Sequence, residues 1–153
     1  MRFRILCLTG FIGAFLSSNA SADDSAERAK LAGAWQGESG AAKAVWILES
    51  HGDAFRITNS VGDKRISEFA CNLGQECEVK DAGHKVKVMM YFNGPKLVML
   101  ETKGEEVVKK RFGAAETGDA LDIEIIPITP AGKNETLRFK RVQNTAAVAA
   151  TAK

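Results

Sequence analysis

The 153-residue chain lacks most of the features that would name an activity outright. There is no G-x-S-x-G nucleophile elbow and no strand-to-helix phosphate loop; Gly37-Glu38-Ser39-Gly40 is glycine-rich but carries no lysine. Only His51 and His84 could supply imidazole, and both sit beside glycine in turn-like sequence. No stretch long and apolar enough to span a bilayer as a helix is present, because the longest, Ile5 to Leu16, falls short of the roughly 20 residues required. That stretch follows Arg2 and Arg4 and precedes Ala20-Ser21-Ala22, a small-x-small cleavage pattern, so residues 1–22 read as a secretion signal. The expected location is therefore the periplasm or the extracellular space.

Net charge is also missing. Removing 22 residues from 153 leaves 131, and loss of Arg2 and Arg4 lowers the basic residues from 21 to 19, equal to the 19 acidic ones. A neutral domain has no overall field to gather nucleic acid or anionic lipid. The local run Lys109-Lys110-Arg111 is explained by a solvated strand face. Cysteine is scarce: beyond the signal only Cys71 and Cys77 occur, and an exported chain is expected to join them as a disulfide. A metal or redox pair is the competing reading, but the spacing is wider than C-x-x-C and few further ligands exist, so neither metal nor cofactor is expected.

What is present is punctuation and alternation. Gly52, Gly62, Gly74, Gly83, Gly94, Gly104, Gly118 and Gly132 recur at gaps of 10, 12, 9, 11, 10, 14 and 14 residues. Short strands joined by tight turns give this spacing. Between the glycines, Val86, Val88, Met90 and Phe92 alternate with Lys85, Lys87, Met89 and Tyr91, and Leu121, Ile123 and Ile125 alternate with Asp122 and Glu124. Period-two alternation over many segments predicts sheets with one buried face. A phase slip between Ile66 and Phe69 predicts a bulge. Ala44 to Leu48 and Leu97 to Leu100 are apolar on both faces and should be covered on both, by a short helix or a closing strand.

The fold class is therefore all-β: an antiparallel up-and-down meander closing into a small barrel of eight to ten strands, with a sandwich as the alternative. Lys85, Lys87, Lys109 and Arg111 on the outer faces argue against a barrel embedded in lipid. A short helix is expected over Asp24 to Leu31, capped by Asp23, Asp24 or Ser25. The domain occupies residues 23–142, and 143–153, without a large side chain to anchor it, reads as a disordered tail.

Leu31-Ala32-Gly33-Ala34-Trp35 near the first strand and Leu137-Arg138-Phe139-Lys140-Arg141 in the last resemble the calycin superfamily, which includes the lipocalins, and within it the exported lipocalin-like domains of bacteria. The resemblance implies that Trp35 plugs the closed end of the barrel and that Arg141, with Arg138 as second choice, packs across the indole. The lipocalin Thr-Asp-Tyr-like signature and the Arg-x-Tyr of fatty-acid-binding proteins are both absent. Gln36 to Ala42 is too short for the two helices that the latter place after their first strand.

Trp46, Phe55, Met89, Tyr91 and Met99 are candidates to line an internal pocket, since methionine and aromatic side chains suit an adaptable apolar site. The same residues would serve equally as solid core. Asp122 and Glu124 share a face but read as solvent-facing. The expected function is binding of a small apolar or amphipathic ligand inside the barrel, without catalysis. The alternative is an envelope interaction or inhibitor module acting through its loops, above all the cysteine-tied tip at Leu73 and Gln75.

Overall fold

The computed structural model describes residues 20–38 and 44–142. The secretion signal over 1–22 lies outside these but for its last three residues, and the tail 143–153 lies wholly outside them.

Among the described residues one helix precedes ten strands: α1 (Ala20–Leu31), β1 (Gly33–Gly37), β2 (Ala44–His51), β3 (Ala54–Val61), β4 (Lys64–Asn72), β5 (Glu76–Asp81), β6 (His84–Asn93), β7 (Lys96–Lys103), β8 (Glu106–Ala114), β9 (Ala120–Thr129) and β10 (Glu135–Arg141). All pairings are antiparallel, and the hydrogen-bonded order is β4-β3-β2-β1-β10-β9-β8-β7-β6-β5. The chain is thus a meander whose first strand pairs with its last, Trp35 opposite Arg141. The turn glycines account for the connections. Gly52, Gly62, Gly74, Gly83, Gly94, Gly104 and Gly118 all adopt left-handed φ, as at Gly62 (58°), a region that side chains with a Cβ resist. Gly132 is not among the left-handed glycines; it sits in the connection between β9 and β10.

The sheet is closed everywhere except between β4 and β5, the two ends of the hydrogen-bonded order. There Cys71 of β4 and Cys77 of β5 form a disulfide, with Cα atoms 5.9 Å apart. The connecting loop is pinned on both sides: Leu73 N–H donates to Asp53 O, and Gly74 N–H donates to Met90 O. The two cysteines therefore join strands that no β-ladder joins.

Two bulges shape the rim. On β3–β4 the register passes from Asn59↔Ser67 to Ser60↔Arg65, leaving Ile66 unpaired where the phase slip was expected. On β8–β9 it passes from Val108↔Pro127 to Val107↔Thr129, leaving Ile128 unpaired. Both isoleucines are exposed, with Val61 beside the first.

Helix α1 starts at Ala20, so Asp23, Asp24 and Ser25 lie inside it and none is its cap. Its C-terminal turn carries Arg28 and Lys30, favourable for the helix dipole. Ala32 N–H continues to Arg28 O, and Arg28 Nη1 reaches Gly52 O at 2.9 Å in the β2–β3 turn, so the helix is tied to the base of the barrel. No covering helix or strand is needed at Val98: it faces outward yet is buried between its register partners Tyr91 and Arg111.

Candidate functional site

The barrel has a floor. Trp35 is fully buried, and its indole N–H donates to Leu31 O at 3.0 Å. The Arg141 guanidinium lies 4.2 Å from the Trp35 ring centroid. Its nitrogens reach three carbonyls: Nη1 to Ala32 O (2.8 Å), Nε to Gly118 O and Nη2 to Lys30 O. One planar fork thereby joins the helix terminus, the β8–β9 turn and the indole, a geometry suited to arginine and not to lysine. Burial pushes the Arg141 pKa down from its ordinary value. Gly33, with φ of 142°, lies so close that any Cβ would overlap the guanidinium. Arg138, the second choice for this place, instead points outward to Asp122 at 3.6 Å.

Above the floor, aromatic side chains fill the cylinder. Trp46 meets Phe112 edge-on at 5.7 Å and Phe139 at 6.4 Å, and Phe55 meets Phe92 at 6.4 Å. Leu48, Ile57, Phe69, Val88, Met90, Leu97, Met99, Leu121 and Ile123 complete this buried layer.

Partly buried apolar side chains ring the core at both ends: Leu73, Phe92 and Ala114 lie on the helix side, and four others lie at the opposite end. Ala44, Val79, Ile125 and Leu137 pack on the core but are only partly buried. At this level the inner wall becomes polar. Lys110 stands opposite Met99 on one side and Ile125 on the other, in register with the inward Phe112 two residues on. It forms an ion pair with Glu101, which occupies the inward phase of Leu97 and Met99, and the two side chains are only 16% and 18% exposed. The Lys110 ammonium also lies 5.7 Å from the Trp46 ring centroid and 5.8 Å from that of Phe69. Asn59, directly across from Trp46 on β3, holds a buried Oδ1 to which none of the described residues donates a hydrogen bond.

Of the candidate lining residues, Trp46, Phe55 and Met99 belong to this inner wall. Met89 and Tyr91 do not. They alternate with the buried Val88 and Met90, and their partners Leu100 and Val98 share the outer face, so the pleat turns both away from the interior. The run Lys109-Lys110-Arg111 is likewise not one solvated face, because its middle member points inward. That position was readable from the phase of Phe112, but the flanking charges masked it.

Other candidates resolve as structure. His51 and His84 are exposed at strand ends. Glu124 is held below the usual carboxylate range first by its hydrogen bond from Lys96, opposed by partial burial and helped by Arg111. Glu124 and Lys96 line an outer groove of about 260 Å³ whose second carboxylate, Asp122, is paired with Arg138. Leu73, at the cysteine-tied tip, packs against the core and is partly buried, while Gln75 beside it is exposed. Among the described residues no three His, Cys, Asp or Glu side chains are grouped to hold a metal ion, and no helix is long and apolar enough to cross a membrane.

No protein-family model matches the sequence, and neither does any curated protein. Solved structures do match. A secretory abundant heat soluble protein from Ramazzottius varieornatus superposes with a TM-score of 0.65 at 13% identity, covering 74% of this chain and 96% of that one. The chain shares the barrel fold of that structure. The fatty acid transporter REP1-NXSQ gives a TM-score of 0.63 at 20% identity, covering 75% of this chain and 98% of the other. A Schistosoma mansoni fatty acid binding protein in complex with arachidonic acid gives 0.63 at 14%, covering 76% and 99%. At these identities the likeness is one of architecture. In this barrel only residues 38–43 separate β1 from β2, and α1 precedes β1.

Proposed function

We propose that this calycin barrel is an exported carrier that takes a small apolar or amphipathic molecule into its interior through the end opposite Trp35. The observation that carries the reading is the inward ion pair in the half of the cylinder away from Trp35. The helix-side end is closed by the fully buried Trp35 beneath the Arg141 fork, whereas the far half sets Lys110 and Glu101 among partly buried apolar side chains. A protein needing only a stable core gains nothing from directing Lys110 and Glu101 inward, since a buried ion pair is often no better for stability than apolar residues of similar volume. A binding site needs a few placed polar groups in an apolar wall. The names of two similar structures, a fatty acid transporter and a fatty acid binding protein, favour an elongated lipid-like molecule as the guest.

Uptake of the neutral dye N-phenyl-1-naphthylamine tests this reading. The dye should brighten on addition of protein. Ile125→Trp, which adds bulk beside Lys110, should weaken its binding about tenfold. A cost of about 1–2 kcal/mol is expected for steric exclusion of that kind. Unchanged fluorescence with the parent protein, or equal binding by the tryptophan variant, would remove the interior as the site.

A further inference from the structure

The polar groups of the inner wall say which head group the barrel accepts. Lys110 is an inward cation in the upper half, and its charge is already met by Glu101. Other charged residues in the inward register, Lys64, Asp81, Lys103, Glu106 and Glu135, stand at the rim and bring no surplus of positive charge. The wall is therefore neutral or slightly negative. A carboxylate entering here would either face Glu101 across a short gap or displace it from Lys110. Displacement would leave one anion without a partner in a site of low dielectric, which is costly.

A neutral hydroxyl meets no such conflict. An ammonium carries three N–H donors, and one bond to Glu101 leaves others to donate. Asn59, register partner of the Trp46 over which that ammonium lies, holds an Oδ1 removed from solvent to which no described residue donates. A hydroxyl is both donor and acceptor, so it can accept from Lys110 and offer its hydrogen to an acceptor such as Asn59 Oδ1. The rings of Trp46 and Phe69, against which the Lys110 ammonium lies, supply the apolar collar for the adjoining carbon chain. Leaving a buried acceptor unpaired is unfavourable, and a ligand that supplies the missing donor recovers that loss.

We infer that the ligand is a long-chain molecule with an uncharged hydroxyl head, an alcohol or a monoacylglycerol-like ester, and not a free fatty acid. The inference rests on the interior-binding reading above and adds the identity of the head group.

Competition against N-phenyl-1-naphthylamine separates the two. At about pH 8, where a simple carboxylic acid is fully ionised, dodecanol should displace the dye from the full-length protein about tenfold more tightly than dodecanoate. Glu101→Gln, nearly isosteric, frees the Lys110 charge and should shift the preference about tenfold or more toward dodecanoate. Asn59→Leu should weaken dodecanol about fivefold while the dye binds as before. If the parent protein takes up the dye but prefers dodecanoate, or if Glu101→Gln leaves the ratio unmoved, the head-group assignment is wrong and the binding reading stands. If the dye is not taken up at all, the binding reading falls and this assignment with it.

Discussion

Truncating Arg141 to alanine should be among the most damaging single changes available outside the apolar core. The side chain gives up three hydrogen bonds from a charged donor to Lys30 O, Ala32 O and Gly118 O, and its place over the Trp35 ring. Charge-assisted bonds are worth about 1.5–3 kcal/mol each when well buried. Arg141 is half-buried, and water can reach part of what it leaves behind, so about 1 kcal/mol per bond is the appropriate scale. Stacking over the indole contributes about 0.5–1 kcal/mol. The total loss is about 3.5–4 kcal/mol, which for a domain of this size lowers the melting temperature by about 15 °C. Arg141→Lys keeps the charge but replaces the fork with a point donor, and should recover only about 1 kcal/mol of the loss. Urea denaturation followed by circular dichroism measures both variants without depending on the indole fluorescence that the substitution itself perturbs. An alanine variant within about 1 kcal/mol of the parent, or a lysine variant as stable as the parent, would refute the view that this fork fastens the barrel's two ends to its helix.

Gly33→Ala should cost about 2 kcal/mol or more, because φ of 142° is strained for alanine and the methyl would overlap the Arg141 guanidinium; combined with Arg141→Ala, the clash disappears and the two losses should add to less than their separate values. Reducing the Cys71–Cys77 bridge, or changing both cysteines to serine, should lower stability by about 2 kcal/mol, the loop-closure scale for so short a ring, and amide exchange should speed up on β4 and β5 before other strands. Glu124 has a folded pKa lowered by Lys96 and Arg111, so its contribution is fully present above its unfolded value near 4.5 and is lost as pH falls through the depressed folded value. Glu124→Gln should therefore flatten the acid limb of a stability-versus-pH curve while leaving the region above neutrality with the same slope.

Much of the architecture was legible because a meander writes its plan locally. Turn glycines mark each reversal, and the alternation of Val86, Val88 and Met90, or of Leu121 and Ile123, fixes which face is buried. The slip at Ile66 could be read because polar residues surround it. The bulge at Ile128 could not, since Ile125-Ile126-Pro127-Ile128 is apolar in either phase and hides the extra residue. The site was less legible for a related reason. Met89 and Tyr91 have the chemistry of pocket residues but the wrong phase, whereas Lys110 and Glu101 have the right phase but the chemistry of a surface. Weighing phase above residue type would have reversed both assignments. Asn59 gave no signal at all: its unpaired oxygen is a property of the closed cylinder, which brings Trp46 and β4 around it, and cannot be seen along a single strand.

The line between β4 and β5 also bears on how the molecule behaves among its own copies. Each of these strands carries a row of main-chain donors and acceptors that no neighbouring strand uses, which is the template on which foreign strands add and fibrils begin. On β5 that row is bordered by the exposed Glu76, Glu78 and Lys80, with the acids engaged by Lys87 and Lys85 of β6. A second chain approaching in register would bring the same charges against their like. The single covalent rung thus does more than add stability: by holding the two rims together it keeps the unpaired backbone from being offered to other chains, and a reducing environment would leave the chain prone to self-association.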